Sequence, residues 1–224
     1  MRYWTFLTSF ISVVFIILSP RISTAETSGG YALYNEEDED VYVAALKIPR
    51  KATGQSDLES NEAKQLELKV LKNRISHRWL KRHFTHRISI NNDQQVTESN
   101  SDALEYILMW INQPLKRGDH LVLRQDGSVF AFQINGKIVG KVKSNDIFDI
   151  ILNAWIGEAP PTLQFKRQIL GVQASRDPQE KYDTLVFNSE RSNIAQDIRT
   201  KGRKLRTESE AYTGRTLNVL TVSP

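Results

Sequence analysis

Three of the four histidines in the chain fall within HRWLKRHFTHR, residues 77–87, together with four arginines and lysines and no acid. Side chains of these types at this density suit a metal site, a grip on nucleic acid, or the wet face of a structural helix. A zinc ion takes three or four ligands at matched spacing. His83 and His86 are three apart and share a helix face, but His77 sits six before His83, well round the helix. No Asp, Glu or Cys in the stretch completes a shell, so no metal ligand is assigned. A sharper reading turns one arginine or histidine inward to a ligand pocket under the helix. Arg74 and Arg78, near the helix start, are the candidates, because a guanidinium meets a carboxylate with two parallel hydrogen bonds.

The elements that would hold these residues follow from periodicity. Over 72–90, Ile75, Trp79 or Leu80, Phe84 and Ile88 recur every four or five residues, which predicts a helix with an apolar stripe and a basic, solvated outer face paired with acids such as Glu67. VYVAALKI (41–48) reads as a strand ending at Pro49, and QLELKVLK (65–72) alternates as a half-buried strand, with a polar loop between them. A polar loop over 91–102 leads to a helix ALEYILMWINQ capped by Ser101 or Asp102. Residues 120–142 form a three-strand meander with tight turns at Asp126-Gly127 and Asn135-Gly136. Ser144 caps a helix over 145–156 that ends at Gly157, and its wide apolar face, with Phe148, Ile151 and Trp155, implies burial. A short helix runs over 161–171 and stops at Gly171. Beyond it the chain is polar, with short apolar islands, and reads as a poorly ordered tail with one helix near 189–201. Hairpins without βαβ alternation give an α+β fold, an antiparallel sheet with helices packed on one face.

Composition narrows the partners. The first 20 residues carry one arginine ahead of an apolar run from Tyr3 to Leu18. RISTA follows, with Ser23 and Ala25 at the small-residue positions of a cleavage site. Residues 1–25 are therefore expected to be a signal peptide removed after Ala25, with an N-terminal membrane anchor as the alternative. With no cysteine, disulfides and a lipid anchor on cysteine are excluded. The net charge of +4 misleads, because residues 26–171 hold 19 basic and 19 acidic residues. Nucleic acid is not a partner on this reading.

In sequence order, VYVAALKIP, LELKVLKNRISHRWLKRHF, RISINN, PLKRGDHLVL, INGKIVGKV and FDIILNAWIGEAPPTLQFKRQILG resemble the secreted bacterial chalcone isomerase-like proteins across about 41–171. The block ending in WIGEAPP and then ILG is the most specific part. The resemblance implies an open-faced sandwich, a large antiparallel sheet with helices over one side and an apolar cleft between them. It also implies a catalytic arginine on an early strand and a threonine near the start of the next. Aligned through VYVAALKIP, those positions fall at Tyr34 and about Tyr42, and NEEDED (35–40) stands between them. No catalytic residue is therefore carried over. In the fatty-acid-binding branch an arginine and a tyrosine hold a carboxylate in the same cleft. Here the replacement cation would come from Arg74, Arg78 or Lys47, beside Tyr34.

Taken together, the sequence predicts an exported, non-catalytic domain over 26–171 that binds a small apolar or fatty-acid-like ligand, followed by the tail at 172–224. It assigns no cofactor, no protein partner, and no stable membrane span once the signal is removed. An isomerase or lyase acting on an aromatic or enone substrate is one alternative, and an envelope interaction protein using the tail is another. Neither a GxSxG nor a phosphate-binding loop is present. Arg117-Gly118-Asp119 reads as a turn.

Overall fold

The computed structural model describes residues 27–49, 63–187, 189–214, 216 and 221–222. The expected signal peptide with its cleavage site, and most of the polar loop after Pro49, lie outside the described residues. Among the described residues no helix is long and apolar enough to cross a membrane.

A single antiparallel sheet organises the chain. In spatial order it runs β2 (Tyr31–Glu36), β3 (Glu39–Pro49), β4 (Lys64–Val70), β7 (His120–Asp126), β8 (Val129–Ile134) and β9 (Lys137–Lys143). Short β1 (Thr27–Ser28) pairs the far end of β3, and β10 (Thr221–Val222) pairs β9. A two-residue ribbon, β5 (Arg74–Ile75) with β6 (Leu115–Lys116), stands apart. Period-two patterning decides which face each residue sees. Tyr42, Ala44, Leu46, Leu66, Leu68, Leu121, Leu123, Phe130 and Phe132 build the main core. Val43 and Ala45 face the other way.

The turns follow backbone chemistry. Asn135 and Gly136 both take positive φ, 52° and 76°, as a two-residue hairpin requires. At the other hairpin Asp126 pairs with Val129, so the turn is Gly127-Ser128, one residue later than predicted, and Gly127 carries the positive φ. NEEDED is mostly the β2–β3 hairpin tip, with Glu37 and Asp38 at positive φ and exposed, so its acids stay in water.

Helices α1 (His77–Asn91), α3 (Ser101–Leu108), α4 (Ile147–Ile156), α5 (Leu163–Ile169) and α7 (Ile194–Thr213) contribute to the main core. In α1 the buried residues are Leu80, Phe84 and Ile88. The helix begins later than its apolar periodicity implied, because the Ser76 hydroxyl accepts from the Trp79 N–H and the residues before it enter the ribbon. In α4, Phe148, Ile151 and Trp155 are buried as expected. The Ser144 hydroxyl accepts from the amides of Asp146 and Ile147 at its start. Thr162 caps α5 in the same way. A short α2 (Gln94–Ser99) occupies the predicted polar loop, started by Asp93 accepting from the Gln95 N–H. α3 ends at Leu108, short of the predicted 113, and Asn100 rather than Ser101 or Asp102 is its N-cap. Trp110 lies beyond it, stacked on Phe132 at 5.7 Å and seated over Gly140, where a Cβ would come within 2.4 Å of the indole.

One expectation needs correction. The region after 171 is not a poorly ordered tail over its described residues. α7 buries Ile194, Ala195 and Ile198 in the main core, and Arg191 reaches the fully buried Asp119 at 2.8 Å. That ion pair also removes the Asp of Arg117-Gly118-Asp119 from solvent. The helices of the main core lie on one face of the sheet, as expected, and one further helix lies on the other. α6 (Arg176–Thr184) crosses the opposite face of β2 and β3, where Tyr182 packs with Val43, Ala45 and Leu71.

Candidate functional site

Under α1 lies a cluster of aromatic and polar rings at the β2–β3 edge. Tyr34 stacks on Tyr42 at 4.8 Å, 8° from parallel. His83 stands edge-on to Tyr34 at 4.9 Å and stacks under Trp79 at 4.7 Å. Hydrogen bonds give the cluster a direction. The Trp155 Nε1–H donates to the Tyr42 hydroxyl at 2.9 Å, and that hydroxyl lies 3.0 Å from His83 Nε2. The indole takes one lone pair of the hydroxyl and leaves its proton available to a neutral imidazole, with Nε2 then accepting. Its environment agrees. Burial, then the nearby charge of Arg87 and of His86, depress His83 to about 4. Burial pushes the Tyr42 phenol far above its ordinary value of 10.0, so it stays protonated and is not a source of phenolate.

Arg87 supplies the cation of this site. Its Nη1 donates to the Ala159 carbonyl at 2.9 Å, which anchors the guanidinium on the loop before α5. The same guanidinium lies near the Tyr34 hydroxyl, whose pKa is raised by burial and by Glu36 against the opposing pull of Arg87. Both side chains line a cavity of about 300 Å³ shared with Thr162, Phe165, Gln168 and Asp177. The deeper space between sheet and helices is filled by the fully buried Tyr42, Phe148 and Trp155. The arrangement can hold a small anion by a guanidinium and a phenol at the rim of an aromatic stack.

The residues singled out from sequence go to different places. Tyr34 is in the cluster. Arg74 is exposed on the ribbon, and Arg78 is exposed on the outer side of α1. Lys47 lies on the opposite face, paired with Glu67. Glu67 is buried there, and it is held by Lys47, by the Tyr182 hydroxyl and by His120 Nε2 at 2.7 Å. Burial alone would raise this carboxyl, but the hydrogen bonds from His120, Lys47 and Tyr182 outweigh it and hold it well below the usual carboxylate range. Glu67 is therefore no partner for the basic face of α1.

His83 and Arg87 are not singled out as inner residues by the sequence pattern, yet a signal exists. Residues 80, 83, 84, 87 and 88 follow the i, i+3, i+4, i+7, i+8 spacing of one helix face. A histidine and an arginine sit where that stripe would otherwise be apolar.

The sequence matches the chalcone isomerase-like family over residues 37–171, more than half of the chain. Among solved structures, it is similar to a fatty-acid binding protein of Arabidopsis thaliana, with 16% identity and a TM-score of 0.50, covering 66% of this chain and 86% of that one. At that identity the likeness speaks for the fold. No curated protein matches the chain.

Proposed function

We infer the function from one premise: the chain belongs to the chalcone isomerase-like family. We propose that it is a binding protein and not an enzyme, holding a small apolar carboxylate at the cavity where Arg87 meets Tyr34. The observation that carries this reading is that Arg87 and Tyr34 line one cavity of about 300 Å³, at the lower end of the usual size of small-ligand sites. A planar guanidinium meets a carboxylate bidentately, and the aromatic stack offers an apolar wall. The similar fold of a fatty-acid binding protein supports the ligand class. The filled deep cleft argues for a ligand that is short or inserts only its head.

The isomerase alternative requires a cation at the phenolate and a mobile hydroxyl network at the enone oxygen. Here the Tyr42 hydroxyl is committed on both sides and His83 Nε2 is occupied. The interaction-protein alternative leaned on an unordered tail, and α7 is instead docked on the sheet. We further propose that the domain is exported. The support is the apolar run ending in Ser23 and Ala25, and N-terminal sequencing of protein from its host should then begin at Glu26.

Calorimetric titration with octanoate and cinnamate tests the binding reading. Wild type should bind one of them, Arg87→Ala should weaken it about tenfold or more, and Tyr34→Phe should weaken it less. Arg74→Ala should leave affinity unchanged. Equal affinity in wild type and Arg87→Ala defeats the proposal, as does chalcone cyclisation above background that is lost in Tyr42→Phe.

A further inference from the structure

The outer side of α1 faces a second cavity, of about 630 Å³, walled by α3 and α7. Its floor is apolar: Leu108, Met109 and Ile111 from the end of α3 and the turn after it, and Leu205 from α7. Its rim is basic: His77, Arg78, Lys81, Arg82 and His86 from α1, and Lys201 from α7. Among the described residues no acid lines it. Among them, too, Arg78, Lys81 and Arg82 make no ion pair, while the α7 acids Glu208 and Glu210 are held by Lys204 and Arg206. Lys201 donates to the Asn112 carbonyl at 3.0 Å, which fixes its ammonium at the edge of the groove. The uncompensated charge is felt locally. Burial, then Lys201, Arg78, Arg74 and Lys81, lower the pKa of His77. Lys201 and Leu205 lie on α7, beyond the residues 37–171 matched by the family.

An apolar floor under an all-basic rim is complementary to one chemistry, a ligand with a hydrocarbon body and an anionic head. A polyanion would find the rim without using the floor, and a neutral lipid would use the floor but leave the rim unmatched. We propose that the groove between α1, α3 and α7 binds a single-chain anionic amphiphile, its head on Arg78, Lys81 and Arg82 and its chain on Leu108, Ile111 and Leu205. The site lies on the opposite side of α1 from Arg87 and Tyr34 and does not depend on the cavity there.

Titration of the purified protein with dodecyl phosphate, kept below its micelle concentration, tests this proposal. One molecule per chain should bind, more weakly as salt is raised. Arg78→Glu with Lys201→Glu should weaken it about tenfold or more, as charge reversal at an exposed rim does, and Leu205→Glu should do likewise. Arg87→Ala should leave the groove-dependent binding unchanged. The substituted rim positions are exposed, so melting temperatures should stay near wild type. Four results overturn the proposal: affinity unmoved by the groove variants; loss in Arg87→Ala instead, which places the amphiphile in the other cavity; inorganic phosphate competing as well as dodecyl phosphate, which leaves an ion site only; or binding to phosphatidylglycerol vesicles without binding to the monomeric amphiphile, which makes the groove a membrane-surface contact.

Discussion

On the helix-covered face of the sheet, His83 meets a phenol; on the opposite face, His120 meets a carboxylate. The two sites draw on neighbouring strands, β3 for Tyr42 and β4 for Glu67, and both are closed by a tyrosine. Their electrostatics diverge. Around His83 the nearest charges, Arg87 and His86, are like-signed to an imidazolium, so the cheapest buried state is uncharged, with the indole donating to the phenol and the phenol joined to a neutral imidazole. Around Glu67 the neighbours include the ammonium of Lys47, half in solvent, so an ion can be buried and still be matched. Burial alone does not decide whether a polar group stays charged. The sign of what it is buried with does.

The largest test of the neutral chain removes its anchor. Trp155 is fully buried, packs edge-on to Phe84 at 5.1 Å and donates to Tyr42. Trp155→Ala should cost on the order of 3–5 kcal/mol, the range for large-to-small core changes, and chemical denaturation followed by circular dichroism reads it directly. A loss below about 1 kcal/mol would mean that α4 is not the central helix of this face.

The strand meander and the helix stripe are legible in the sequence because each is local. Asn135-Gly136 encodes its turn in two residues, and Leu80, Phe84 and Ile88 encode a face in nine. α7 is not legible in the same way. Its buried residues are Ile194, Ala195, Ile198 and Gly202 in a helix otherwise rich in charge, and its docking depends on Arg191 meeting Asp119 far back in the chain. The site is legible only in part. Tyr34 can be placed by register against the family strand. Arg87 becomes the cation only because the β2–β3 hairpin and the loop at Ala159 converge on it, and no local pattern records that convergence. The second face is hidden for the opposite reason. Glu67 alternates as an outward residue of β4, and only the crossing of α6 buries it.

Acid unfolding separates the two sites. Between pH 6.5 and about 4 the unfolded chain binds a proton at His83 that the folded chain refuses. Stability from this group is therefore complete above 6.5 and is lost as pH falls toward about 4. At about 1.4 kcal/mol per pH unit, reduced for partial exposure, the loss is about 2 kcal/mol. Glu67 behaves differently. Its folded value lies below its ordinary 4.5, so its contribution is intact from pH 6.5 down to 4.5 and fades only as pH falls further. His83→Phe should flatten the stability profile between pH 6.5 and 4.5, whereas Glu67→Gln should lower the profile there without changing its slope. A slope that survives His83→Phe and vanishes in Glu67→Gln would reverse the comparison.

The finest test is one oxygen atom. Tyr42→Phe keeps the stack on Tyr34 and removes the hydroxyl that joins Trp155 to His83. The indole N–H is then left without an acceptor in a dry core, whereas the half-buried imidazole can turn to water. One stranded donor costs about 1–2 kcal/mol, less than the loss of the whole indole. The direction of the Tyr42–His83 bond is fixed by the same variant. If the phenol donates to Nε2, it stabilises neutral His83, and removing it should raise the His83 midpoint from about 4 toward its ordinary 6.5. Proton NMR of the imidazole across an acid titration measures that midpoint. A midpoint that falls in Tyr42→Phe would show the phenol accepting from an imidazole N–H, and the donor chain from Trp155 would then break at Tyr42 instead of passing through it.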